Sequence, residues 1–216
     1  MINTVLFDMD GVICHTNPFH SKAFQVFFKK RKMNPSQEEF EQHMYGKSNS
    51  YIFSHFFNRK IEGEELFMYE DEKESLFREI YSNHVESIEG FLPFLDLLAT
   101  KNYKLGVATS APKANLDLII DKLKIRKHFS SLMASEDVTI HKPNPQVYLK
   151  SALNLISKPN ECIVFEDSFS GISAAINAEM KVVGVLSSHA KEELPICDYY
   201  IKTYNSQILE SSILSL

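Results

Sequence analysis

At 216 residues, 44% hydrophobic and 24% charged, the chain has the material for one sizeable core and a smaller appendage, which excludes a disordered or low-complexity protein. A net charge of -5 excludes general electrostatic attraction to nucleic acid or to anionic membranes and leaves a small molecule as the default partner. Three cysteines (Cys14, Cys162, Cys197) without framework spacing, the lack of a charged-then-apolar leader, and no apolar run near the roughly 20 residues that span a bilayer point to a cytoplasmic protein.

The first predicted strand is Thr4–Phe7, and it runs straight into "DMDG". Asp8 and Asp10 are close enough to raise each other's pKa unless a cation or a proton lies between them. From about Pro18 to Glu86 the chain turns helical and heavily charged, without a comparable strand run. Leu66, Tyr69, Lys73, Leu76, Phe77, Ile80 and Tyr81 keep a stripe of about 3.6 residues. The region reads as an all-helical insertion, His15 to Ser87, between core segments 1–14 and 88–216. Its aromatics, Phe24, Phe27, Phe28, Phe53, Phe56 and Phe57, read as the core of a small bundle, and the run "EDEKE" as a solvated helix face. "YGKS" at Tyr45–Ser48 is not a phosphate-binding P-loop, because the required first glycine falls on Glu41 and no strand precedes it. The eight histidines show no paired metal spacing.

Beyond the insertion, strand runs recur at Leu105–Ala108, Leu132–Ala134, Ile163–Phe165 and Val182–Leu186, with a last one around Ile201. Amphipathic stretches beginning at Lys113 and Asn144 separate them. Strands alternating with helices imply right-handed crossovers and an α/β fold with a parallel sheet covered on both faces.

Ligands bind beyond the carboxyl ends of such strands, and the residues there form a coherent set. The first strand delivers Asp8 and Asp10, the second Thr109 and Ser110, the third leads to Lys142 in "HKPNP", and the fourth delivers Glu166 and Asp167 in "EDSFSG". Four acids at one edge repel one another, and a bound Mg²⁺, which prefers oxygen ligands, removes that conflict. Lys142 and the two hydroxyl residues can then hold phosphate oxygens, and a carboxylate there can attack phosphorus. Each motif alone has a plainer reading: a turn or helix cap for "DMD", a proline-rich turn for "HKPNP", a capped helix start for "EDSFSG". All four in order, each after its own strand, make coincidence improbable.

"FDMDGV", "VATSAP", "HKPNP" and "FEDSFSGI" together resemble the four motifs of the haloacid dehalogenase-like phosphotransferase superfamily, over Thr4 to about Leu186. A helical insertion directly after the first motif is similar to the branch that contains β-phosphoglucomutase and many sugar-phosphate phosphatases. The resemblance implies a Rossmann-like parallel sheet core with an inserted all-helical cap domain. It makes Asp8 the nucleophile and a metal ligand, and Asp10 the general acid/base whose backbone carbonyl also meets the metal. Thr109 would bind the phosphoryl group with the Ser110 N–H, and Lys142 would balance its charge. Asp167 would be the side-chain metal ligand, with Glu166 beside it. Gly11 fits the sharp turn next to the site.

The resemblance also places Thr16 and His20 toward substrate from the hinge side, although a packed helix start is the plainer reading of both. The loop "YGKSNS" (Gly46, Lys47, Ser48, Asn49) and Lys113 join the substrate-side candidates. In the mutases an arginine follows the loop's serine, whereas this chain has Asn49, which lacks the charge and forked donors that suit a phosphate. The implied function is a Mg²⁺-dependent phosphatase of a small phosphorylated metabolite, sugar-like, acting through an aspartyl-phosphate. The alternatives are a phosphohexomutase of the β-phosphoglucomutase type and, from another class, a catalytically silent phosphate-sensing protein. Dehalogenation is disfavoured, since the pair Asp10 and Asp167 suits metal and proton transfer. No nucleic acid or membrane partner is expected, and a monomer is compatible with the sequence, which does not set the oligomeric state.

Overall fold

Six short runs rich in β-branched and aromatic residues become parallel strands in the computed structural model, which describes residues 2–44, 48–205 and 209. In chain order, β1 (Thr4–Phe7) is followed by α1 (Asn17–Lys30), α2 (Gln37–Met44), α3 (Asn49–Phe56) and α4 (Gly63–Tyr81). Then come α5 (Phe91–Thr100), β2 (Lys104–Ala108), α6 (Lys113–Lys122), β3 (Ser131–Met133), α7 (Gln146–Asn154), β4 (Cys162–Glu166), α8 (Phe169–Asn177), β5 (Lys181–Val185) and β6 (Tyr199–Ile201). The sheet order is β3-β2-β1-β4-β5-β6, parallel throughout. Among the described residues no helix is long and apolar enough to cross a membrane.

The chain divides into two compact units, Met1–His15 with Val85–Leu216, and Thr16–His84. In the first, helices cover both faces of the sheet, so β1, β2 and β4 read as continuous apolar runs rather than alternating ones. One face packs Phe7 against Phe91, Phe94, Phe129 and Phe165. The other carries Leu6, Val164, Tyr148, Ile172 and Ala175. The helix α5 has no counterpart among the predicted elements, yet its buried Phe91, Phe94, Leu95 and Leu98 hold the helical period. The strand predicted at 132–134 sits one residue earlier, because the Ala134 N–H goes to Asp137 Oδ2 at 2.8 Å rather than into the ladder.

In the helical unit Phe24, Phe27, Phe28 and Phe53 pack together with Tyr69. The reading of "EDEKE" as a solvated face is corrected at its end: Lys73 and Glu74 are buried. Lys73 shares the stripe of Leu76 and Phe77, and burial is tolerated because Lys73 Nζ donates to Glu74 Oε1 and, at 3.0 Å, to His20 Nδ1. Its ammonium also lies 4.6 Å from the centre of the Phe24 ring, while His20 stacks on Phe77 at 3.8 Å.

Helices α1, α3, α5, α6, α7 and α8 end alike. Lys32, Asn58, Asn102, Lys124, Ile156 and Glu179 stand in the left-handed region with φ between 51° and 60°. In each case the next N–H reaches back five residues, as in Met33 to Phe28 O, Ser157 to Ala152 O and Met180 to Ala175 O. This is the Schellman termination, made without a glycine at any of the six positions.

Candidate active site

The register of the central strands sets the site. Phe7 stands beside Val107 on β2 and Phe165 on β4, so one residue further on Asp8 meets Ala108 on one side and Glu166 on the other. The Asp8 N–H donates to Phe165 O at 3.0 Å, which fixes where the carboxylate emerges. Lys142 arrives from the segment between β3 and α7, and its Nζ donates to Asp8 Oδ1 (2.6 Å), Glu166 Oε1 (2.7 Å) and Ala108 O (3.0 Å). All three protons of the ammonium are thereby committed.

Carboxylate oxygens of Asp8, Glu166 and Asp167 lie within 4.8 Å of one another, and all three residues are buried. Burial holds the Asp8 carboxyl well above the ordinary range. Lys142 pulls it down, while the charges of Glu166, Asp10 and Asp167 add to the rise. Asp167 is pushed up to about 7 by burial and by Glu166. Lys142 resists the loss of charge that burial favours because Asp8 and Glu166 outweigh it, and its pKa is raised well above normal. One ammonium among three buried carboxylates leaves surplus negative charge, and hard oxygen donors in that number suit Mg²⁺.

Two glycines make the cluster possible. Gly11 has φ +72°, and a Cβ there would lie 1.9 Å from Asp167 Oδ2. A Cβ on Gly171 would fall 1.6 Å from Glu166 Oε1, so α8 can seat its first turns under the carboxylate only without a side chain at that position. Glu166 is heavily bonded: Oε1 accepts from Lys142 and from Tyr148 Oη (3.0 Å), Oε2 from the N–H groups of Asp167 and Ser168 and from Ser168 Oγ.

The other candidates fall as follows. Asp10 is half-buried, bridges Cys14 through its backbone, and its charge is felt by both Asp8 and Asp167. Thr109 is buried, and its Oγ1 accepts from the Ala111 N–H at 3.0 Å, which leaves the hydroxyl proton to donate. Ser110 is exposed. Lys113 opens α6 with its Nζ 3.2 Å from Asp117 Oδ1 one turn on, so its charge is already answered within the helix. In the helical unit Thr16 is buried at the start of α1, and its Oγ1 has no hydrogen-bond partner among the described residues. His20 Nδ1 accepts a hydrogen bond from Lys73 Nζ at 3.0 Å. Ser48 caps α3 by accepting from the Tyr51 N–H at 3.2 Å, and Asn49 is the first residue of that helix. Gly46 and Lys47 lie outside the described residues.

Two contributors are not apparent from the four motifs. Tyr148 donates to Glu166 and lies with its ring centre 4.8 Å from the Lys142 ammonium. Ser187 and Ser188, just past β5, reach Gly11 O and Asp167 Oδ2. Following the strand-end rule to the fifth strand would have found the serines. Tyr148 reads as an ordinary apolar position of α7.

A family profile described as haloacid dehalogenase-like hydrolase matches residues 5–185. The phosphorylated carbohydrates phosphatase of Thermotoga maritima is 27% identical over 193 residues, 87% of this chain and 87% of that protein. Among solved structures, a family IA hydrolase from Entamoeba histolytica superposes with a TM-score of 0.87 at 28% identity, covering 94% of this chain and 93% of the other. A β-phosphoglucomutase from Clostridium difficile superposes with a TM-score of 0.79 at 27% identity, covering 96% and 93%.

Proposed function

The chain belongs to the haloacid dehalogenase-like hydrolases, and on that premise we propose that it is a Mg²⁺-dependent phosphatase of a small phosphorylated metabolite, a sugar phosphate first, working through an aspartyl-phosphate on Asp8. The observation that carries this reading is the charge surplus: one fully committed lysine among three buried carboxylates at the end of the central strand. Asp8, Asp167 and the Asp10 carbonyl, with Glu166 beside them, would hold Mg²⁺, which would neutralise the charge that builds on the phosphoryl oxygens. Asp8 attacks phosphorus, and Asp10 gives a proton to the departing oxygen. Asp10 then takes a proton from the water that splits the acyl-phosphate. The Thr109 hydroxyl and the Ser110 N–H hold the phosphoryl oxygens, Lys142 balances their charge from its place beside Asp8, and Glu166 steadies Lys142 through its hydrogen bond. Within this proposal the unit Thr16–His84 serves as the cap, with Thr16, His20, Ser48 and Asn49 assigned to substrate. The setting is a reducing cytoplasm, in keeping with three free cysteines.

Phosphate release from p-nitrophenyl phosphate and from a panel of phosphorylated metabolites, with and without Mg²⁺, tests the reading. Release that depends on the cation supports it, and no release from any compound favours a binding protein. A mutase is the second reading, because a β-phosphoglucomutase is among the similar structures. Asn49, in place of the mutases' arginine, weighs against it. A hexose 1-phosphate supplied with a trace of bisphosphate decides: isomerisation faster than phosphate release would replace hydrolase by mutase.

A further inference from the structure

The segment after β5 reaches the acidic cluster from a strand that none of the four motifs occupies. Glu166 on β4 pairs with Gly184 on β5, so the residues following both strands emerge side by side. That segment is pinned at two points: the Leu186 N–H donates to Ile201 O at 2.7 Å, and His189 Nδ1 donates to Asp167 O at 3.1 Å. Between the pins stand two hydroxyls. Ser188 Oγ donates to Asp167 Oδ2, and Ser187 Oγ donates to Gly11 O, with its oxygen 3.5 Å from Asp167 Oδ2.

A hydroxyl carries one proton, so the two serines divide the work. Ser187 is committed to the carbonyl of Gly11, in the turn that carries Asp8 and Asp10. Ser188 is committed to Asp167. Both contacts to Asp167 fall on Oδ2, which leaves Oδ1 as the oxygen available to a cation. A Cβ at position 11 would meet both Asp167 Oδ2 and Ser188 Oγ, so the Asp8–Gly11 turn approaches this pair closely only because residue 11 is glycine.

We propose that Ser187 and Ser188 are positioning residues for divalent-cation binding, Ser188 by fixing the rotamer of Asp167 and Ser187 by fixing the Asp8–Gly11 turn against it. The proposal rests on the metal-dependent reading above. Hydrogen-bond partners of metal ligands are worth about 10- to 100-fold in metal affinity. Ser188→Ala is therefore expected to weaken Mn²⁺ binding, followed by electron paramagnetic resonance of the free ion, by about tenfold. Ser188→Thr, which keeps the hydroxyl, restores most of it, and Ser187→Ala gives a smaller loss. Thermal melting without metal checks that each variant is folded, a property that a merely structural serine would move without moving Mn²⁺ affinity. Wild-type protein that binds Mn²⁺ and Ser188→Ala that binds it equally well would overturn this proposal alone. Wild-type protein that binds no Mn²⁺ would overturn the metal reading, and this proposal with it.

Discussion

Lys142 in the α/β unit and Lys73 in the helical unit are buried almost equally, with 4% and 3% of their side-chain surface exposed. Their surroundings differ in charge. Lys73 faces one carboxylate, one imidazole nitrogen and one aromatic ring, so the group is balanced and complete. Lys142 serves two carboxylates directly, with a third and Asp10 close behind, and the acids around it remain under-neutralised. A buried lysine is therefore not itself a mark of chemistry. The surplus around it is, because natural cores do not keep uncompensated buried charge unless something else answers it.

The comparison breaks most sharply at the nucleophile. Asp8→Asn should leave the protein folded and cut phosphate release by about 10⁴-fold or more, since the amide cannot attack phosphorus. Residual turnover near wild type, with circular dichroism unchanged, would remove Asp8 from that role. Next in size is the balanced group. Lys73→Met takes the ammonium away from buried Glu74 and should cost about 3–5 kcal/mol in urea unfolding, whereas Lys73→Met with Glu74→Leu should recover most of it. A neutral single variant would mean that the two buried lysines are not opposites.

Cation binding comes third. Mg²⁺ at 100 times its dissociation constant should stabilise the protein by about 2.7 kcal/mol. The gain should appear as a higher melting temperature, vanish with chelator, shrink in Asp167→Ala and persist in Lys73→Met. The smallest effect belongs to an exposed pair in the helical unit. Glu65 is lowered to about 2 by hydrogen bonds from Arg59 and Tyr69. A carboxyl depressed on folding stabilises above its ordinary pKa near 4.5 and loses that contribution as pH falls toward 2. Melting curves between pH 5 and pH 2.5 should thus fall slightly less steeply for Glu65→Gln than for wild type.

The same contrast explains what could be read from residues alone. The strands announce themselves as apolar runs because helices cover both sheet faces. Asp8, Lys142, Glu166 and Asp167 follow from asking what stands after each run. Glu74 escapes because it ends a charged run whose composition says solvent, while Lys73 stands both in that run and on the stripe of Leu76 and Phe77, and the stripe decides. Tyr148 escapes because its ring fits the core stripe of α7 while its hydroxyl serves Glu166. Ser187 and Ser188 lie past β5, where the same question, carried one strand further, reaches them.

The six helix ends offer a route to a more heat-resistant protein. With seven glycines in 216 residues, the chain closes these helices on side chains that sit uncomfortably there. Ile156 is the most costly, a β-branched residue at φ 52° with 86% of its surface exposed. Left-handed backbone costs a side-chain-bearing residue about 1–2 kcal/mol, and glycine's extra freedom when unfolded returns about 0.5–1 kcal/mol of that. Ile156→Gly should therefore raise the melting temperature by a few degrees at most, with little burial to lose, and calorimetry would read the gain directly. A reserve of stability in this fold thus lies at the stops of its helices, where a single exposed side chain can be removed without touching the core.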